Sequence, residues 1–124
     1  MRRAVTASLC LAILAACATT QDFVDQGRPL EYAAVSDAKA AARCAAHNVK
    51  SFPGPYTADW AEILRPGNYE TVVRQVHSVL FSRDPIIVVR TRPADRGSQM
   101  QIYFSNAVGS ADQADWIERL RRGC

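Results

Sequence analysis

The sequence contains little that would point to a particular chemistry. Its 124 residues include only two histidines, four cysteines and 8% aromatic residues. No apolar run reaches the roughly 20 residues that a membrane-spanning helix needs. Walker loops, dinucleotide-binding glycine motifs, GxSxG elbows and HExxH motifs are all missing. The sequence therefore carries no motif of a nucleotide-binding protein, a serine hydrolase of the α/β type or a zinc protease.

The overall composition is that of one small globular domain. Hydrophobic residues make up 48% of the chain and charged residues 22%, which excludes a disordered polyelectrolyte. A chain of this length has no room for two domains, but it can bury one core.

The first residues resemble a targeting segment. Met1-Arg2-Arg3 is a short basic start, and residues 4–16 carry no charge. The segment ends in Leu14-Ala15-Ala16-Cys17, which resembles the lipobox of bacterial lipoproteins. The resemblance implies a signal peptide at 1–16, lipid on Cys17 and a membrane anchor without a spanning helix. Ala18 in place of Asp favours sorting to the outer membrane, with the protein facing the periplasm.

The net charge changes once this processing is taken into account. Removal of residues 1–16 takes away Arg2 and Arg3, so the 15 basic residues become 13 against 12 acidic ones, and the net charge falls from +3 to +1. This charge gives no argument for a nucleic-acid partner. We expect the partners to be the membrane, through the lipid on Cys17, and an envelope protein or cell-wall component.

The cysteines predict one disulfide. Cys10 leaves with the signal peptide and Cys17 carries lipid, which leaves Cys44 and Cys124 for the folded domain. Two thiols in an oxidising compartment allow one pairing. A redox-active or metal-binding pair is the alternative, but the sequence contains no CxxC motif.

Patterning predicts an α+β domain in which helices pack on an antiparallel β-hairpin or small sheet. We expect a flexible tether over 17–35 and the domain over 36–124. An alanine-rich helix follows Ser36 as its N-cap, and a short helix that buries Trp60 begins at Thr57.

The second half of the domain adds further predicted elements. Residues 68–81 follow helical spacing although their composition favours a strand, and we predict a helix there. Residues 86–92 and 100–105 predict an antiparallel hairpin. Its buried face is expected to combine Ile87, Val89 and Thr91 with Met100, Ile102 and Phe104. Ser110 and Gln113 match a capping box, which predicts a helix that buries Ala114, Ile117 and Leu120.

The outer face and tip of the hairpin form a candidate binding patch. Guanidinium groups, an amide and a phenol suit phosphates or carboxylates. The residues of this candidate patch are Arg90, Arg92, Arg96, Gln101 and Tyr103.

These observations predict a non-catalytic binding or scaffolding module on an envelope assembly or cell-wall component. We expect no catalytic residue, metal or cofactor. One alternative is an inhibitor or immunity-type lipoprotein that inserts the loop 52–56 or the tip 93–98 into an enzyme. Another is a small cell-wall or lipid hydrolase that uses His77 with carboxylates drawn from Asp59, Glu62 and Glu70. His47 lies near the end of the first helix, where the helix dipole accounts for it.

Overall fold

Two helices and five strands make up the described part of the domain. The structure, a computed structural model, describes Val24 and residues 27–63, 65–76 and 83–124. The predicted signal peptide and Cys17 lie outside these residues. The elements are β1 (Leu30–Ala34), α1 (Ala38–Lys50), β2 (Tyr56–Glu62), β3 (Tyr69–Val76), β4 (Arg83–Pro93), β5 (Ser98–Phe104) and α2 (Ser110–Arg121).

The five strands form one antiparallel sheet in the order β1-β5-β4-β3-β2, so that β1 and β2 are its edges. The helices pack against one face, which we name the helix-covered face; the opposite side is the second face. This architecture fits the predicted α+β class broadly.

Helix α1 packs closely on the sheet because its buried side is made of small residues. Five of its six alanines are buried, and these five recur at helical spacing as predicted. Because the helix lies close to the sheet, two buried threonines bond to its backbone. Thr71 Oγ1 donates to the carbonyl of Ala42 at 3.0 Å, and Thr91 Oγ1 donates to the carbonyl of Ala38 at 2.8 Å. The helix is capped by Asp37, whose Oδ1 accepts from the amide of Ala40, and not by the expected Ser36.

The predicted hairpin is confirmed as β4 and β5. The two strands pair antiparallel, with a turn that contains Gly97. The predicted residues lie opposite one another on the helix-covered face, in the pairs Ile87 with Phe104, Val89 with Ile102 and Thr91 with Met100.

The two helices predicted between α1 and this hairpin are wrong, because the described parts of both segments form strands. β2 pairs with β3 along its whole length, and β3 pairs with β4. A register shift between Val73 and Arg74 leaves Ile86 of β4 as the extra residue, and Ile86 and Ile87 are both buried. Val72 and Val73 are buried although they point to opposite faces.

Helix α2 begins differently from the prediction. Its N-cap is Gly109, without a side-chain hydrogen bond, and Gln113 Nε2 donates back to the carbonyl of Val108 at 3.1 Å. Trp116 and Leu120 are the buried residues of the helix, whereas Ala114 is exposed and Ile117 is half-buried. The buried side of α2 is therefore centred on Trp116 and Leu120, and not on the predicted set of Ala114, Ile117 and Leu120.

The predicted disulfide is confirmed between Cys44 in α1 and Cys124 after α2, with 5.8 Å between the Cα atoms. Hydrogen bonds hold the same region together. The carbonyl of Cys124 accepts from the amides of Val35 and Ser36, and Asn48 Nδ2 donates to the carbonyl of Arg122 at 2.9 Å. The end of α2 is thereby joined to α1 and to the β1–α1 connection.

Part of the range assigned to the tether lies in the sheet. Residues 30–34 form β1 and pair with β5. Val24 is 7% exposed and packs with Val88 and Tyr103 on the second face. The domain therefore begins before Ser36.

Candidate binding surfaces

The candidate patch predicted from the hairpin lies mainly on the second face, where it is linked to neighbouring strands. Arg90 Nε donates to Glu70 Oε2 of β3 at 2.9 Å, and both side chains are largely shielded from solvent. Gln101 Nε2 donates to Glu31 Oε1 of β1, also at 2.9 Å. Carboxylates from two other strands therefore lie among the basic groups and weaken the attraction of this face for an anion.

The other patch residues occupy different environments. Arg92 Nε donates to Gln99 Oε1 at 2.6 Å, and Arg96 is exposed in the β4–β5 turn. Tyr103 is 8% exposed and packs beneath Val24. The candidate patch is therefore not one continuous surface: three of its residues bond to neighbouring strands, Arg96 lies at the hairpin tip, and the ring of Tyr103 is buried. Its binding role stays a prediction.

A second basic surface lies on the outward side of α1. Lys39, Arg43, His47 and Lys50 are all exposed and follow one another at intervals of four, four and three residues, which places them on one side of a helix. We name this set the α1 stripe. None of the four forms an ion pair with another residue that the structure describes. The only two lysines of the whole sequence belong to it.

A groove separates the α1 stripe from β2. It has a volume of about 400 Å³ and is lined by Arg43, Ala46, His47, Lys50, Ala58, Asp59 and Trp60. Trp60 is half-buried, and the guanidinium carbon of Arg43 lies 5.9 Å from the centroid of its ring, within the range of a cation–π contact. Asp59 is the one carboxylate in the lining, so basic groups outnumber acidic ones there.

The backbone of β2 presents an open edge to this groove. The amide of Ile63 donates to the carbonyl of Asn68, and the amide of Val76 donates to the carbonyl of Pro55. In an antiparallel pair the inward-pointing groups alternate, so the odd-numbered residues of β2 bond to β3. The backbone groups of Ala58 and Trp60 therefore point outward. Within the described ranges, no strand pairs with this edge.

The loop proposed for the inhibitor alternative turns its aromatic residues inward. The ring of Phe52 stacks on Trp116 at 3.9 Å between centroids, and Tyr56 meets Trp116 edge-on at 5.0 Å. Arg119 covers the other side of the Phe52 ring at 4.5 Å. These rings pack in the core and between α1 and α2. Pro53 is one of the exposed residues of the loop.

The carboxylates proposed for hydrolysis lie on the neighbouring strands β2 and β3. His77 lies outside the described residues, Glu70 is paired with Arg90, and Glu62 is exposed on β2. Partial burial and the neighbouring Glu62 carboxylate raise the pKa of Tyr69, whose hydroxyl donates to Glu62 Oε2 at 3.4 Å. No group of three His, Cys, Asp or Glu residues in the described ranges is placed to hold a metal ion.

Sequence reasoning overlooked the α1 stripe although its spacing was readable. Lys39, Arg43 and His47 recur at every fourth residue of a helix that was correctly predicted. The groove could not be predicted from the sequence, because the pattern of the β2 residues predicts a helix there.

No helix among the described residues is long and apolar enough to cross a membrane. Comparison with protein-family models, curated proteins and solved structures found no match to this chain.

Proposed function

We propose that this protein is a lipid-anchored lipoprotein of the bacterial cell envelope that binds an anionic envelope component through the α1 stripe and acts without catalysis. The observation that carries the proposal is the set of four exposed basic residues on α1 that have no ion-pair partner among the described residues. Such a surface attracts an anionic partner from a distance and fixes its orientation.

The anchor in this proposal is Cys17. Its support is the sequence Leu14-Ala15-Ala16-Cys17 after a basic start and an uncharged run. The Cys44–Cys124 disulfide agrees with an oxidising compartment such as the periplasm. Sorting to the outer membrane, with the domain facing the periplasm, follows from Ala18 and belongs to the same proposal.

The position of Val24 favours an orientation in which α1 faces away from the membrane. Val24 packs on the second face, and only six residues separate it from Cys17. A fully extended chain covers at most roughly 25 Å over this distance. The second face then lies near the bilayer and the helices lie on the far side. The α1 stripe is thus available to a component beyond the anchoring membrane.

Cross-linking in living cells tests this function. The tagged full chain is compared with Lys39→Glu/Arg43→Glu, with the control Arg92→Glu/Arg96→Glu from the hairpin, and with Cys17→Ser. We expect one dominant envelope component that is retained by the hairpin variant and lost from the α1 and Cys17 variants. Capture that survives reversal of both α1 charges would refute a role of the α1 stripe, and loss in the hairpin variant alone would move the binding site to the candidate patch.

A further inference from the structure

We propose that the groove between α1 and β2 binds an extended segment of a partner protein, which adds as a strand to the free edge of β2 and carries acidic side chains at alternate positions. This inference rests on the proposed function, because it identifies the anionic component that meets the α1 stripe. It adds the chemical class of the partner and its mode of binding.

The first argument is the free edge. Ala58 and Trp60 direct their backbone N–H and C=O groups away from β3, and the seven residues of β2 give an edge of about 23 Å. An edge of this kind is a template for an added strand, in which main-chain hydrogen bonds supply affinity and alternate side chains supply specificity.

The second argument is the match in spacing. Arg43 and His47, which both line the groove, are four residues apart, and this interval corresponds to a rise of about 6 Å along α1. Every second residue of an extended strand advances by about 6.6 Å. Two carboxylates at alternate positions of the added strand therefore have nearly the same spacing as Arg43 and His47, and Lys50 adds a third basic group to the groove.

The third argument concerns the two faces of β2. Ala58, Trp60 and, at the end of the strand, Glu62 belong to the helix-covered face, and strand alternation places Asp59 on the second face. Beside Ala58 and Trp60, acidic side chains that point towards α1 meet the basic residues that line the groove, whereas acidic side chains on the opposite face would meet Asp59. An alternating acidic segment is favoured over a continuous acidic run for this reason.

The same charges disfavour a second copy of this chain as the occupant. Pairing of two β2 edges would bring together the exposed carboxylates Asp59 and Glu62 of both copies. Like charges on neighbouring strands oppose pairing. The lipid surface is disfavoured by the orientation argued above, since the helices face away from the bilayer.

Binding of defined peptides to the lipidated full chain in detergent micelles tests this inference. The probe is a fluorescein-labelled peptide of the length of β2 that alternates glutamate and threonine. The first control peptide has the same composition with its glutamates in one block. The second control peptide keeps the alternation but carries N-methyl groups on the alternate amides that would donate to the edge of β2. Fluorescence anisotropy gives the dissociation constants.

We expect the alternating peptide to bind at least about tenfold more tightly than either control peptide, since each control removes charge pairing or edge hydrogen bonds. Arg43→Gln is expected to weaken binding by about tenfold, and binding should weaken as salt is added. Arg65→Gln, an exposed arginine in the β2–β3 turn, is the matched control and should change nothing.

Ala58→Pro tests the edge from the protein side. Its amide points away from β3, so proline removes an outward donor without removing a hydrogen bond of the sheet. We expect it to abolish tight binding while the melting temperature stays near that of the parent. The N-methylated peptide provides the same information without any change to the protein, should this variant fail to fold.

Several outcomes would overturn the inference. Equal affinity for the alternating and N-methylated peptides would show charge attraction without strand addition. Arg43-dependent binding to vesicles that contain phosphatidylglycerol, with no peptide binding, would assign the α1 stripe to a lipid surface. Dimerisation that Ala58→Pro abolishes would make a second copy the occupant. The proposed function survives the first two of these results, and it fails if no anionic probe binds in an α1-dependent manner.

Discussion

Removal of the Cys44–Cys124 disulfide should cost a large fraction of the stability of this domain. The two cysteines are 80 positions apart, and a bridge over this distance lowers the entropy of the unfolded chain. The chain-entropy relation gives about 4.5 kcal/mol at 25 °C. Domains of this size are stable by only about 5–15 kcal/mol in total.

Cys44→Ala/Cys124→Ala removes the bridge without leaving a free thiol. The variant keeps the bonds from Val35 and Ser36 to the carbonyl of residue 124, so we expect it to fold to the same structure with lower stability. Urea unfolding followed by circular dichroism should give a free energy of unfolding lower by about 4–5 kcal/mol. The melting temperature should fall by roughly 20–35 °C.

Reductant supplies the control for this experiment. It should destabilise the parent protein by a similar amount and leave the double alanine variant unchanged. A loss below about 1 kcal/mol would refute the reasoning, because it would mean that the unfolded chain gains little freedom when the bridge is absent. Two titratable thiols in the denatured, non-reduced parent would refute the bridge itself.

Three further predictions concern single residues. Thr71→Val should lower the free energy of unfolding by about 1 kcal/mol in urea titrations, since it removes the buried hydroxyl that bonds to α1. Gly97→Ala should cost about 2–3 kcal/mol, because φ is +69° and a Cβ atom would collide with the backbone of β1; Gly123→Ala, at φ +73° in open space, should cost only about 1 kcal/mol. Glu62→Gln should lower the raised pKa of Tyr69, measured by phenolate absorbance against Tyr69→Phe, because the variant removes the carboxylate that opposes ionisation.

The elements that sequence reasoning predicted correctly are those whose burial follows one simple period. α1 has small residues on one helical side, and β4 and β5 alternate in matching register. β3 does not follow one simple period, because Val72 and Val73 are neighbours in the sequence and are buried on opposite faces of the sheet. Its apolar spacing then imitates a helix, and only pairing with distant strands decides the conformation.

The candidate sites likewise include features that can be read from a short stretch of sequence and features that depend on the assembled sheet. The basic spacing along α1 is local and can be read from the sequence. The pairing of Arg90 with Glu70 and of Gln101 with Glu31 depends on β1 and β3, which lie far away along the chain and were not assigned as strands. The groove beside β2 likewise required the strand order of the sheet. The sequence therefore contains the spacing of the basic residues along α1, whereas the pairing of charged residues across strands depends on the strand order of the sheet.

The anchor at Cys17 is the claim on which the proposed localisation and the orientation of α1 both depend. Intact-mass spectrometry of the protein purified from bacterial membranes tests it most directly. The account predicts a chain that begins at Cys17 and carries the mass of two or three acyl chains, and a Cys17→Ser form without that mass. A chain from the membrane fraction that still contains residues 1–16, or one that begins at Cys17 without added lipid, would contradict the account.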